Sequence, residues 1–430
     1  MAALQIYGGI PLQGKVKIQG SKNAALPVMA ATLLVGGECL VENCPRIIDV
    51  QHMASILTSL GCRVRRRGNG YRIDSSSAQC CGMTGESITG MRSSLCLLGA
   101  MLGRFGEVVM EHPGGCVIGS RPIDLHLKAL REMGVCFSET DGTLKGQVKR
   151  LRGARIRLDF PSVGATENIL LAAVRAEGVT EIRGAAREPE VVTLCEFLVS
   201  CGAQIEGVGT SVLRIRGVKV LSGSHFCIPA DRIVAGTYLF ACVGCGGSVF
   251  LEDAPWNQME AVIRIAECMG AKCQVSGTGG RIGDLFPIPE KGLYIQGPDR
   301  PLAVERLRTA VYPGFPTDLQ SMALAVLTRA HGRSIVEETI FENRFRVIEP
   351  LRAMGAEILL CTPETAAIHG VETLHGAGVE AKELRGGAAL VLAGLMAEGK
   401  SEITGCRYIG RGYENICKDL KDLGARVSSV

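Results

Sequence analysis

The sequence predicts an α/β protein of two pseudo-symmetric globes, each assembled from three copies of one unit. Three observations carry that reading. A tripeptide of the form Leu/Met/Cys-Gly-small recurs six times along the chain. Each recurrence sits between a helical periodicity and a strand-like one. The length, 430 residues, suits two or three domains of ordinary size.

The tripeptides are Leu60-Gly61-Cys62, Met133-Gly134-Val135, Cys201-Gly202-Ala203, Met269-Gly270-Ala271, Met354-Gly355-Ala356 and Leu423-Gly424-Ala425. They are spaced at about 70 residues. Only the fourth interval is long, and its excess falls in a Gly/Pro-rich stretch from Ser276 to Arg300 that reads as an inserted loop or hairpin.

Each unit begins with a helix, followed by glycine and a short strand: 39–42, 108–111, 179–183, 248–252, 334–338 and 401–404. A loop and a second, amphipathic helix come next. In the first unit its apolar residues are Val50, Met53, Leu57 and Leu60; in the third they are Val191, Leu194, Leu198 and Cys201. Both sets trace one face of an α-helix. The glycine that follows is a helix stop. A unit this small cannot cover its own sheet, so three are expected to pack around shared helices, with a cleft between the two globes.

Composition excludes several classes of function. Hydrophobic residues make up 47% and charged residues 21%, as in an ordinary soluble protein. A net charge of +4 and an aromatic content of 4% give neither a polyelectrolyte face nor a base-stacking platform, so no nucleic acid is expected as partner. The longest apolar run, Ala388 to Ala397, falls short of the ~20 residues that span a bilayer. With no signal-peptide pattern at Met1 to Lys22, the expected location is the cytoplasm, with no membrane partner. The 18 cysteines follow no framework and read as reduced thiols filling core positions. Cys242-Val243-Gly244-Cys245 lacks a second ligand pair and the seven histidines form no HExxH, so metal catalysis is not expected. Gly9 to Lys15 nearly spells a P-loop, but Val16 stands where Ser or Thr is required. Arg63 to Arg67 reads as a solvated hairpin edge turned by Gly68-Asn69-Gly70.

The repeat sorts the remaining unusual residues into two places. At first-helix starts lie Ser21-Lys22-Asn23, Met91-Arg92-Ser93, Ser162-Val163-Gly164, Asp231-Arg232, Thr317-Asp318 and Leu384-Arg385. In the strand-to-second-helix loops lie Asp49, Cys116 with Arg121, Glu188 with Glu190, Arg344 and Arg411. Positive helix ends and fixed cations gathered in one place favour an anion, phosphate above all. Cys116, in a Gly/Pro loop with a cation five residues on, has the setting of a thiol of lowered pKa, able to serve as nucleophile or acid. Asp318 reads either as an N-cap or, with its carboxylate free of the cap, as a general base.

In order along the chain stand Ser21-Lys22-Asn23-Ala24-Ala25-Leu26-Pro27, Pro113-Gly114-Gly115-Cys116 through Arg121-Pro122-Ile123-Asp124-Leu125-His126, Ser162-Val163-Gly164-Ala165-Thr166, Arg187-Glu188-Pro189-Glu190, Pro316-Thr317-Asp318, Phe341-Glu342-Asn343-Arg344-Phe345 and Arg411-Gly412-Tyr413-Glu414. Together they closely resemble the UDP-N-acetylglucosamine 1-carboxyvinyltransferases, from about Ile6 to Arg426. The resemblance implies a two-domain inside-out α/β barrel of six βαβαββ-like units, one globe at 22–229 and the other at 1–21 plus 230–430. It implies transfer of the enolpyruvyl group of phosphoenolpyruvate to the 3-hydroxyl of UDP-N-acetylglucosamine, with release of phosphate, as the step that opens peptidoglycan precursor synthesis. No metal or organic cofactor is called for.

The site residues it implies are Lys22, Arg92, Arg121 and Arg411 on phosphate, and Arg344 and Arg385 on carboxylate or holding the closed site. Cys116 is the implied general acid and Asp318 the acceptor of the sugar hydroxyl proton. Asn23 positions substrate, Arg121, Pro122, Ile123, Asp124 and Leu125 with Ser162, Val163 and Gly164 meet the uridine and diphosphate, and Ile340 contacts substrate. Three places depart from the usual pattern: Gly410 and Glu383 stand where Asp is common, and Arg346-Val347 replaces Met-His. A non-catalytic paralogue that binds the sugar nucleotide and regulates is the alternative these departures leave open. The sister activity on shikimate 3-phosphate lacks the Pro-Gly-Gly-Cys loop.

Overall fold

The computed structural model describes residues 3–83, 85, 91–111, 123–276 and 291–430, and of Arg92 the backbone alone. Among these, twelve α-helices alternate along the chain between two kinds. They are α1 (Lys22–Ala31) and α2 (Ile48–Ser59), α3 (Leu97–Phe105) and α4 (Asp124–Glu132), α5 (Val163–Ala173) and α6 (Pro189–Ser200), α7 (Arg232–Cys245) and α8 (Glu260–Cys268), α9 (Gln320–Leu327) and α10 (Ile348–Ala353), α11 (Leu384–Met396) and α12 (Ile416–Asp422).

The odd-numbered helices are interior. Every residue of α9 is buried, as is α7 from Arg232 to Gly244 and α11 from Arg385 onward. A helix apolar on all sides holds its shape only when other elements wrap it. The even-numbered helices bury one stripe each, such as Val50, Met53, Ile56 and Leu57 of α2 or Val262 and Ala266 of α8. The periodicity of the sequence distinguished the two kinds for this reason. All six repeat glycines lie in the left-handed region, with φ from 84° at Gly424 to 100° at Gly202. No side chain with a Cβ settles there without strain, so each glycine turns its helix end into the next strand.

The chain divides into two compact units: residues up to Gln19 together with those from Ala230 onward, and residues from Gly20 to Pro229. Each has its own apolar core and three small sheets of one pattern. An edge strand runs parallel to a central strand, which pairs antiparallel with a third, and a fourth completes the hairpin. In the first of these units the sets are Leu12–Lys17, Gly247–Glu252, Gly292–Gly297 and Lys272–Ser276; then Arg306–Arg308, Arg333–Glu337, Thr365–His369 and Glu357–Thr362; then Gly378–Glu380, Lys400–Thr404, Ala3–Tyr7 and Arg426–Ser429. Ala3–Tyr7 thus fills the third place of the last sheet, Leu4 facing Ile403 on one side and Ser429 on the other.

In the other unit, His225–Cys227 pairs parallel with Glu38–Glu42 and so returns the third repeat to the first. Arg155–Arg157 does the same for Val179–Arg183. Glu107–Glu111 has a single parallel bridge, Met83 to Met110, in that position.

All six sequence-derived strands are observed within a residue of their expected limits. The strand expected over 334–338 runs Arg333–Glu337, and the Glu338 amide still donates across the hairpin to the Glu364 carbonyl at 2.8 Å. The basic run is an edge strand, Arg63–Arg67, hairpinned to Gly70–Asp74. The long fourth interval contains the antiparallel pair Lys272–Ser276 and Gly292–Gly297, the residues between them lying outside those described. Cysteines such as Cys39, Cys195 and Cys242 are buried core residues, whereas Cys81, Cys136, Cys268 and Cys361 are exposed, so core filling accounts for only part of the set. Among the described residues no helix is long and apolar enough to cross a membrane.

Candidate active site

In the unit formed by residues 20–229, the expected residues that are described stand at helix starts, inner ones for Lys22 and Ser162 and an outer one for Asp124. Ser21 caps α1 through the amide of Ala24, and Lys22 opens the helix. A cation there opposes the helix dipole. Asp49, in the first turn of α2, answers it with Nζ–Oδ2 2.6 Å, the two side chains being 10% and 1% exposed. Asn23 beside it is half-buried.

Ser162 caps α5 through the amide of Ala165, with Val163 and Gly164 in the first turn. Ile123, Asp124 and Leu125 begin α4. His126 joins these two helix starts. Its Nδ1 lies 3.0 Å from Asn168 Nδ2, which also donates to the carbonyl of Gly164 at 3.1 Å, while Asn168 Oδ1 accepts from the amide of Gly99 at 2.7 Å. With the amide nitrogen as donor, His126 Nδ1 is the acceptor and the proton sits on Nε2. Gly164 packs closely here: a Cβ would stand 3.0 Å from His126 Cε1, and the imidazole would have to give way.

The carboxyl of Glu167 lies deeper in α5. Burial, with Glu190 and Glu188 nearby, pushes its pKa well above the carboxylate range. Cys116, Arg121, Pro122 and the side chain of Arg92 fall outside the described residues; the Arg92 backbone begins the 3-10 turn Arg92–Cys96 before α3.

The other unit builds a second cluster. Asp318 does not cap α9. The helix is entered through a 3-10 turn, Thr317–Leu319, and the carboxylate bonds two arginines instead. Arg344 Nη2 donates to Oδ1 at 2.6 Å and Arg385 Nη2 donates to Oδ2 at 2.8 Å. The Arg344 side chain is 1% exposed, that of Arg385 7% and that of Asp318 23%. Burial works against charging Arg385, but Asp318, Tyr413 and Asp231 outweigh it and hold the guanidinium more firmly charged than usual. Tyr413 in turn shares a hydrogen bond with Thr237 of α7 at 2.7 Å.

Arg344 Nε donates to Thr317 Oγ1 at 3.2 Å, and its guanidinium lies over the Phe341 ring, 5.1 Å from the centroid. Ile340 is half-buried on the same loop. Glu383 caps α11 through the amides of Arg385 and Gly386. Arg411 ends a 3-10 turn, Ile409–Arg411, that packs on the first turn of α11, where a Cβ on Gly412 would meet Leu384 at 2.9 Å. The structure therefore gathers Asp318, Arg344 and Arg385 into one network and sets Arg411 at its border.

Sequence reasoning missed Glu338, which accepts from the Thr317 hydroxyl at 2.9 Å and ties that helix start to the Ile340 loop. Its signal was parity. Ser334, Val336 and Glu338 share the inward side, so a carboxylate falls where the strand buries its face. Thr237 and Tyr413 carried no local signal as partners. Among the described residues no three His, Cys, Asp or Glu side chains group as a metal would need.

The sequence profile of the EPSP synthase family, 3-phosphoshikimate 1-carboxyvinyltransferase, matches residues 6–420. The chain belongs to this family. Within it, the chain is 44% identical over 430 residues, all of both proteins, to UDP-N-acetylglucosamine 1-carboxyvinyltransferase 2 of Caldanaerobacter subterraneus. It is 41% identical to UDP-N-acetylglucosamine 1-carboxyvinyltransferase of Nitratidesulfovibrio vulgaris, again over all of both chains. UDP-N-acetylglucosamine 1-carboxyvinyltransferase 1 of Symbiobacterium thermophilum is 43% identical across 99% of this chain and 94% of its own.

Solved structures of family members have the same fold. The enolpyruvyl transferase NikO from Streptomyces tendae superposes with a TM-score of 0.87 at 23% identity, covering 99% of this chain and 98% of its own. The EPSP synthase of Acinetobacter baumannii gives 0.75 at 19% identity over all of both chains. The six sheets around interior helices are thus the inside-out α/β architecture of the enolpyruvyl transferases.

Proposed function

We propose that the protein is a UDP-N-acetylglucosamine 1-carboxyvinyltransferase acting in the cytoplasm on two small-molecule substrates, phosphoenolpyruvate and UDP-N-acetylglucosamine. One observation carries the reading: relatives 41–44% identical over essentially their whole length bear that name. The buried Asp318–Arg344–Arg385 network supports it, because it is a site prepared to hold a carboxylate in one orientation.

The reaction protonates C3 of phosphoenolpyruvate while the sugar 3-hydroxyl attacks C2. The resulting tetrahedral ketal loses a proton from C3 and expels phosphate, which restores the double bond in the product. Positive charge developing at C2 and a multiply charged leaving group both call for fixed ions and exclusion of water. Asp318 accepts the proton of the sugar hydroxyl. The two arginines, one on each oxygen, fix the direction of its carboxylate. Arg344 is too deeply enclosed to serve a ligand first, and its part is to hold Asp318.

Arg385 divides its N–H groups between Asp318 and substrate carboxylate. Lys22, Arg92, Arg121 and Arg411 bind phosphate, Cys116 delivers the proton to C3, and Asn23 positions the acceptor. Arg121, Pro122, Ile123, Asp124 and Leu125 hold the nucleotide with Ser162, Val163 and Gly164, and Ile340 borders the sugar.

Phosphate release from phosphoenolpyruvate, assayed with UDP-N-acetylglucosamine or shikimate 3-phosphate as acceptor, tests the reading. Release with the sugar nucleotide alone is expected. Release with shikimate 3-phosphate alone would reassign the acceptor. Folded protein that binds the sugar nucleotide and releases no phosphate would be the regulatory paralogue instead.

A further inference from the structure

Glu338 breaks the repeat. In the first, third, fourth and sixth units the residue after the central strand has positive φ: 55° at Asn43, 76° at Gly184, 61° at Asp253 and 71° at Gly405. In the fifth, that position is Glu338, which does not take this conformation and is 2% exposed. A buried carboxylate in place of a turn residue violates the local rule, and such violations concentrate at functional sites.

Its bonds account for both oxygens. Oε1 accepts from the amides of Ile340 at 2.8 Å and Phe341 at 3.2 Å and from the Thr309 hydroxyl at 3.0 Å; Oε2 accepts from the Thr317 hydroxyl at 2.9 Å. Thr309 Oγ1 itself accepts from the amide of Thr339 at 2.8 Å.

We propose that Glu338 is a positioning residue for Asp318, acting through Thr317 and Arg344; the proposal rests on the reading of Asp318 as proton acceptor given above. A carboxylate can only accept, so the Thr317 hydroxyl must point its proton at Glu338. Its lone pairs then face Arg344 Nε, which donates to them, and the planar guanidinium is turned so that Nη2 meets Asp318 Oδ1. The direction of each bond fixes the next, from Glu338 to Thr317 to Arg344 to Asp318. Glutamine cannot reproduce it. If its oxygen keeps the two amides and Thr309, its NH₂ faces Thr317 and reverses that bond. If it flips, two amide N–H groups meet an N–H.

The test compares Glu338→Gln, Thr317→Val and Thr317→Ser in the full chain. Glu338→Gln and Thr317→Val are each expected to lower kcat by ~10-fold or more, with KM for UDP-N-acetylglucosamine within ~2-fold. Thr317→Ser, which keeps the hydroxyl, recovers most of that loss. The Glu338→Gln/Thr317→Val double variant is no slower than the worse single one, because both break the same chain. Folded Thr317→Val with kcat within ~2-fold of the parent overturns the proposal, and so do losses that multiply. Thr317→Val keeps Glu338 and serves if Glu338→Gln does not fold.

A crystal structure of Thr317→Val reads the positioning without turnover. Arg344 displaced from Asp318 supports the proposal, and Arg344 still bonded to Oδ1 overturns it. If the unaltered protein releases no phosphate, the assigned reaction fails while this structural arm still decides the positioning.

Discussion

The carboxylate of Glu383 folds back onto the amide of Gly386, and a Cβ on residue 386 would stand 2.7 Å from Glu383 Oε1. The longer acid at the cap and the glycine three residues later are therefore one device. Glu383 stands where the family resemblance leads one to expect Asp, and Gly386 provides the room that the extra methylene takes up.

Gly386→Ala should lose ~1–3 kcal/mol of stability in urea unfolding, since it overpacks a buried cap. The same change made with Glu383→Asp should cost much less. Equal losses in the two backgrounds would dissolve the coupling.

Asp318 stabilises as well as reacts. Its carboxylate lies between two guanidiniums whose side chains are 1% and 7% exposed. Asp318→Asn removes the charge bonded to both. It is expected to lower the melting temperature, with a loss on the order of 3–5 kcal/mol for a broken buried pair. Phosphate release should fall ~10²–10⁴-fold, the usual contribution of a general base. Adding Arg344→Met should restore part of the stability and none of the activity; recovery of turnover would remove Asp318 from the proton transfer.

Lys22 and Asp49 form the corresponding pair in the other unit, at 2.6 Å and nearly out of solvent. Asp49→Asn leaves a buried ammonium at a helix start, where the dipole also opposes it. Urea unfolding should show ~3–5 kcal/mol lost. Lys22→Met/Asp49→Leu should unfold later than Asp49→Asn. A double variant weaker than the single one would mean that the pair contributes net attraction beyond its desolvation cost.

Glu167 makes stability depend on pH. Burial first, and then Glu190 and Glu188, raise its native pKa above the ordinary 4.5. The folded state then holds the proton more tightly than the unfolded state. Its contribution is fully present below 4.5 and is lost as pH climbs through the raised native value. Glu167→Gln should flatten that decline, gaining on the parent as pH rises and matching it most closely in acid. Parallel stability curves from pH 5 to 8.5 would show that Glu167 does not titrate in this way.

Much of the fold was legible because the repeat states the same instruction six times. A glycine after the last apolar residue of each outer helix predicted a left-handed turn, and Gly61, Gly134, Gly202, Gly270, Gly355 and Gly424 all take one. The inner helix at 384–396 coincides with the longest apolar run, Ala388 to Ala397, which only Gly394 interrupts.

The site was legible as residue types and not as pairings. Asp318, Arg344 and Arg385 were each singled out, yet nothing local says that both arginines meet one carboxylate, since the pairing is made by packing α9 against α11. The N-cap reading of Asp318 failed at one step, the 3-10 turn that α9 inserts at Thr317–Leu319. Glu338 was read as the end of a strand, and its amide still bonds across the hairpin to Glu364; what nothing local announces is the set of donors that meet its carboxylate, Thr309 and Thr317 from elsewhere in the chain.

The strand Ala3–Tyr7 is made long before the strands it pairs with. Its neighbours, Lys400–Thr404 and Arg426–Ser429, lie beyond the whole of the other unit in the chain. The unit from Gly20 to Pro229 draws all its strands from its own span and can close during synthesis, while the first strand waits with one face and both edges unsatisfied. Until those partners emerge, Ala-Leu-Gln-Ile-Tyr is an unpaired strand of the kind that invites wrong pairing.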